Sequence, residues 1–180
     1  MHLCHFFQEH KISLLCFALL IAFFAGFTKK MNKMEVVSFN IRYDNPHDGI
    51  NNWNARKPIV EAYLMKTMPD IIGMQEVMHN QLVDLTEILI GYNYVGKGRE
   101  DGKMDGEFCP IFYRTDQWEL LDNSQFWLSE TPEVAGSKSW DAAITRIVTW
   151  AKLEHQKTGK VVFVFNTHFD HKGILAKVNS

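Results

Sequence analysis

From residue 34 onward the chain alternates short apolar runs with turn-forming clusters. Residues 35–41 (EVVSFNI) are β-rich and run into Asp44, Asn45 and Pro46, which predicts a strand followed by a loop. Apolar residues then recur at helical spacing, with Ile59, Tyr63 and Met68 flanked by Val60 and Leu64, and the helix they predict stops at Pro69 and Asp70. Pro58 suits an early turn of that helix, where a missing N–H costs little. Residues 71–77 (IIGMQEV) predict a buried strand that delivers polar groups at its end, and a second helix is expected over about residues 80–90, closed by Gly91.

Beyond Tyr92 the texture changes. Gly96, Gly98, Gly102 and Gly106 stud a charged segment that lacks the Gly-Lys-Ser/Thr ending of a phosphate loop, so it reads as a mobile surface loop. Short β-rich runs follow at residues 109–113, 118–121, 125–128, 144–153 and 161–167, the last two joined by a hairpin-type turn at residues 156–159. The order is strand, helix, strand, helix, then a β meander. No repeat, low-complexity tract or linker interrupts residues 34–180, which read as one unit.

Residues 12–27 form an uninterrupted apolar run with Lys11 before it and Lys29 and Lys30 after it. Its sixteen residues fall short of the roughly 20 that span a bilayer. With Ala22, Ala25 and Gly26 near its end it resembles the hydrophobic region of a secretory signal peptide. An uncleaved membrane anchor is the alternative, because Phe23, Phe24 and Phe27 make a poor cleavage site; a start at Met31 or Met34 is a third reading. Residues 1–30 are therefore expected to be a signal peptide or N-terminal anchor, exporting the protein or tethering it to a membrane.

Composition narrows the classes. With 46% hydrophobic and 13% aromatic residues the chain can bury a core, which excludes disorder as the default state. Cys4 and Cys16 fall in or near the leader, so Cys109 is left alone and no disulfide framework is available. Three of the 19 basic and one of the 21 acidic residues lie in the first thirty, leaving 16 against 20 and a net charge of −4. Nonspecific grip on nucleic acid rests on neutralising phosphates with a basic face, so this balance disfavours a nucleic acid partner and favours a small phosphorylated substrate.

Four stretches carry the candidate chemistry: SFNIRYD around Asn40, QEV around Glu76, GEFCPIFYR around Glu107 and NTHFDH around His168. In this order they resemble the endonuclease/exonuclease/phosphatase family, the deoxyribonuclease-I-like phosphoesterases, and the likeness runs from about Met34 to the last residue. The stretch FWLSETP at residues 126–132 resembles exported bacterial members. The resemblance implies an α/β fold, a two-sheet α/β sandwich, with residues 31–180 a partial domain of this family. It also implies a metal-dependent hydrolase of phosphoester or phosphodiester bonds, with a nuclease as the alternative activity.

The same resemblance assigns roles. Glu76 would be the carboxylate for Mg²⁺ or Mn²⁺, a hard cation that one protein carboxylate, several waters and substrate phosphate can hold. Asn40 would orient a metal water or the phosphate, or contribute to the metal site. Glu107 would hold one nitrogen of His168, leaving the imidazole to stabilise a phosphoryl oxygen or protonate the leaving group. Arg146 would grip phosphate through its planar donor fork, with a buried structural ion pair as its other reading. Asp170 and His171 would line the pocket. His47, in the Asn-Pro turn, reads as solvated, and Trp53, Trp127 and Trp140 as core more than as a substrate platform.

Family members of this kind continue with an Asp-x-Asn motif and a terminal Asp-His pair, neither of which follows His168 here. The chain is accordingly expected to be a truncated, poorly active or noncatalytic phosphate-binding copy, or half of a split protein completed by a C-terminal fragment. Sheet edges and an apolar face left uncovered would make it poorly soluble.

Overall fold

The computed structural model describes residues 33–180, so the apolar segment read as a leader lies outside the described residues. The unit from Met34 to Ser180 is built on two sheets. In the first, β1 (Val36–Asn40) pairs in parallel with β2 (Ile71–Gln75), with Val36 opposite Ile71 and Asn40 opposite Gln75. A parallel pair needs a crossover, here helix α1 (Trp53–Thr67). Every residue of β2 is buried, which is why IIGMQ reads as an unbroken apolar run. Helix α2 (His79–Ile88) leads to β3 (Tyr92–Val95), which pairs antiparallel with β4 (Ile111–Arg114), and β4 pairs antiparallel with β2.

The second sheet is an antiparallel meander of β5 (Trp118–Trp127), β6 (Ile147–His155) and β7 (Val161–Thr167), followed by a short helix α3 (Ile174–Asn179). Ile71, Ile111 and Tyr113 of the first sheet meet Trp118, Ala151 and Leu153 of the second in one buried cluster. A second cluster lies on the helical side of the first sheet, where Trp53, Val60, Leu64, Leu82 and Leu85 cover Ile72 and Met74. The two-sheet α/β sandwich expected from sequence is therefore present.

Several local expectations are corrected. Helix α1 starts at Trp53, where the Asn52 side chain accepts a hydrogen bond from the Ala55 N–H, so Pro58 sits in its interior and not its first turn. The buried stripe is Trp53, Val60 and Leu64, while Ile59 and Tyr63 face solvent. The 118–121 and 125–128 runs are one ten-residue strand with a register shift between Leu120 and Asp122, which pairing with β6 holds together. Strand β3 and helix α3 went unread because each is short and carries no clear period. Along β7, Val161, Phe163 and Phe165 are exposed, with Phe165 63% accessible, so an apolar sheet face is open to solvent among the described residues.

Candidate phosphoester site

Strands β1 and β2 end at the same level, and the chain then takes the left-handed conformation at Arg42 (φ 64°) and Glu76 (φ 59°). For residues with a Cβ this costs roughly 1–2 kcal/mol each, strain that persists only where surrounding bonds hold it. The bonds are visible. Asn40 Nδ2 donates to Glu76 Oε1 at 2.8 Å, and the Tyr43 backbone N–H donates to Oε2 at 3.2 Å. The Arg42 N–H donates to Asn40 Oδ1 at 2.9 Å. A backbone N–H can only donate, so the Asn40 oxygen faces Arg42 and its amide group faces Glu76. Asn40 thus orients the carboxylate. Burial works against the charged Glu76, but the bonds from Asn40 and Tyr43, with His168 and Arg42 nearby, hold its carboxyl below the ordinary range.

The loop that supplies the Tyr43 N–H is itself clasped. The Arg56 guanidinium donates to the carbonyl of Ile41, to Arg42 O at 3.2 Å and to Tyr43 O at 3.2 Å. From α2, the fully buried Gln81 donates to Arg42 O at 2.9 Å and accepts from the N–H of Asp44 at 3.1 Å and of Met78 at 3.0 Å. Neither residue was singled out from sequence, and neither lies in a motif.

His168 follows β7, and its surroundings draw the other candidates together. Burial lowers its pKa from the ordinary histidine value and Arg146 lowers it further, against the opposing pull of Glu76 and Glu107. Its Nδ1 is buried and makes no hydrogen bond with any described residue. The expected Glu107–His168 hydrogen bond is absent: Glu107 Oε2 accepts instead from Arg99 Nη1 at 2.8 Å. Arg99 also pairs with Glu100 at 3.1 Å, and its backbone carbonyl accepts from the Trp127 indole N–H at 2.6 Å. The glycine-rich segment therefore has a packed course that carries a guanidinium to Glu107, and is more than a surface loop. Trp127 and Trp53 are core residues, as expected, and His47 is exposed.

Arg146 is only 4% exposed, and its Nε and Nη1 have no hydrogen-bond partner among the described residues. Burial and then Arg99 lower its pKa, opposed by Asp170 and Glu107. Nη2 lies 3.2 Å from Nδ1 of the exposed His171, and Nε lies 3.9 Å from Asp170. Asp170 does not present a free carboxylate to a pocket. It is 3% exposed and accepts from the N–H groups of Ala143 (2.9 Å), Ile144 (3.4 Å), Lys172 (2.8 Å) and Gly173 (2.7 Å). Burial alone would raise its pKa; the four amides hold it far below the carboxylate range. Asp170 is thus a staple that ties the loop before β6 to the turn after β7. Burial pushes the Cys109 thiol up to about 12, which removes it as a nucleophile at neutral pH.

No family model matches the chain. A solved structure from Bacteroides vulgatus, described as an endonuclease/exonuclease/phosphatase, is 49% identical with a TM-score of 0.80, over 81% of this chain and 56% of that one. A mannosyl-6-phosphatase of Bacteroides thetaiotaomicron is 42% identical with a TM-score of 0.79, over 82% of this chain and 55% of that one. Among curated relatives, Nocturnin of Drosophila melanogaster is 26% identical over 141 residues, 71% of this chain and 20% of the relative. The chain thus spans just over half of the two solved proteins and about a fifth of the curated one.

Proposed function

We propose that this chain, which belongs to the endonuclease/exonuclease/phosphatase family, is the phosphate-gripping part of a divalent-metal-dependent hydrolase of small phosphoesters. The observation that carries the reading is a set of buried polar atoms that make no hydrogen bond with any described residue, the Nε and Nη1 donors of Arg146 and the ring atom Nδ1 of His168, in the neighbourhood of Glu76 and Glu107. Buried polar groups are almost always hydrogen-bonded, so donors left over in one place point to an anionic ligand. A small phosphoester suits them, in keeping with the acidic balance of the chain and with the activity named for the Bacteroides thetaiotaomicron relative.

The donor set at the end of β2 fits a hard cation. Glu76 is an ionised oxygen ligand whose two oxygens are aligned by Asn40 and Tyr43, and the described residues offer a metal this one carboxylate rather than a cage of three or more ligands. That is the way Mg²⁺ or Mn²⁺ is held when water and substrate phosphate complete the shell. A cation bound there supplies Lewis-acid polarisation of a phosphoryl oxygen. Arg146 would hold the phosphoryl oxygens in register, and His168 would donate a ring N–H to a phosphoryl oxygen or a proton to the leaving oxygen as the P–O bond breaks.

The carboxylates beside His168 and Arg146 are each engaged by other donors, which leaves none of them free to activate water. Glu76 accepts from Asn40 and Tyr43, Glu107 accepts from Arg99, and Asp170 accepts from four amides. We therefore propose slow turnover by the 180-residue chain and, from the apolar run at residues 12–27 with its flanking lysines, export or membrane anchoring through residues 1–30. Binding tests the reading directly. With Mg²⁺ present, methyl phosphate is expected to bind the chain, seen as broadening of its ³¹P line, and to bind at least about tenfold more weakly in Arg146→Met and in His168→Ala. Equal binding by both variants and the parent chain would overturn the assignment.

A further inference from the structure

The two sheets pack largely through apolar side chains, and at one point a polar side chain bridges them. There Asn166 of β7, 6% exposed, reaches across the interface. Its Nδ2 donates to Met74 O at 2.7 Å and to Pro110 O at 2.9 Å, and its Oδ1 accepts from Gln75 Nε2 at 2.6 Å. Carbonyl oxygens only accept, so this orientation of the Asn166 amide is fixed. Gln75 Nε2 also lies 3.3 Å from Gly73 O and from Ser38 Oγ. Gly73 makes room for the pair: a Cβ at that position would stand 3.0 Å from both Cγ and Oδ1 of Asn166.

We infer that Asn166 and Gln75 are positioning residues, a buried amide pair that fixes where Glu76 stands relative to His168. The inference rests on the reading of those two groups as the metal and phosphate groups. Glu76 follows Gln75 directly, and His168 stands two residues beyond Asn166, so the pair joins the two sheets at the last point before each site residue leaves its strand. Apolar packing between sheets is non-directional and tolerates small slides. Three short hydrogen bonds to groups that cannot move independently do not, and a site must be held to about half an ångström to work. An apolar pair would serve adhesion as well, since burying amides brings little net stability. What the amides add is register.

The test separates register from stability. Asn166→Ala removes the bonds across the interface, and Gly73→Ala keeps both amides but crowds them. Leu153→Ala, in the apolar cluster between the sheets, serves as a control for stability loss alone. Each variant is compared at the same interval below its own thermal midpoint. The readouts are the ¹H–¹³C signal of the His168 ring and its broadening by substoichiometric Mn²⁺. In Asn166→Ala the ring signal is expected to shift and split, and the Mn²⁺ effect to fall severalfold; Gly73→Ala should reproduce both in part, while Leu153→Ala matches the parent chain. An unmoved ring signal in Asn166→Ala, or an equal change in Leu153→Ala, overturns the inference. If Asn166→Ala fails to fold, Gly73→Ala against Leu153→Ala decides it alone. Absence of Mn²⁺ broadening in the parent chain would overturn the metal reading of Glu76, and the ring signal would still decide the role of Asn166.

Discussion

Alanine at position 76 is expected to reduce Mn²⁺ affinity by more than about a hundredfold, because loss of a partner that merely orients a ligand already costs roughly 10–100-fold. Asn40→Ala should fall within that smaller range, since Asn40 would act on a metal only through its bond to Glu76 Oε1. The order of the two effects is the informative part. Glu76 carries the charge, and Asn40 and Tyr43 keep it ionised and aimed. Electron paramagnetic resonance of free against bound Mn²⁺ measures both. An Asn40→Ala loss as large as that of Glu76→Ala would instead make Asn40 a ligand, and unchanged affinity in Glu76→Ala would remove the metal site from this strand end.

The second large effect belongs to a residue whose motif suggests chemistry and whose surroundings show structure. Asp170→Ala is expected to destabilise the fold by about 3–5 kcal/mol, because it strands four amide donors and leaves the buried Arg146 without its nearest carboxylate. For a domain of this size that is a fall of roughly 10 °C in the thermal midpoint. The pH dependence follows from the sign of the shift. The folded-state pKa of Asp170 is depressed, so its contribution is fully present above the unfolded value of about 3.9 and is lost as pH falls below it toward the folded value. Thermal scans from pH 7 to pH 3 should show the parent chain losing stability at the acid end, with Asp170→Asn less stable at neutral pH and flatter in its response. An Asp170→Ala midpoint within 2 °C of the parent would show that the staple is not holding the two loops.

Much of this was legible because it is local. The strand at residues 161–167 was read to the residue, since alternating Val and Phe between Lys160 and His168 has one interpretation. Glu76 and His168 stand out in the sequence through their motifs, and the fold brings them to neighbouring strand ends. What could not be read lies in contacts between distant parts of the chain. Asn166 meets Gln75 across 91 residues, and nothing beside Asn166 says which carbonyls it will reach. Arg99 sits in a segment whose glycines dominate its texture, so its turn toward Glu107 is visible only once Trp127 is seen to hold its carbonyl. Helix α1 shows the limit in another way. Its spacing was correct, but two adjacent stripes fitted it, and the choice between Ile59 with Tyr63 and Val60 with Leu64 was made by the sheet beneath.

The left-handed turn at Glu76 also bears on how such a chain changes over generations. Glycine would occupy that backbone conformation without the Cβ penalty, but it would also strand the Asn40 amide and the Tyr43 N–H that now donate to the carboxylate. The turn favours that substitution, while the charge at the end of β2 and the two bonds it accepts oppose it. In a lineage where the protein is kept for its shape but no longer for its chemistry, position 76 would be free to relax to glycine once Asn40 and Tyr43 had found other partners.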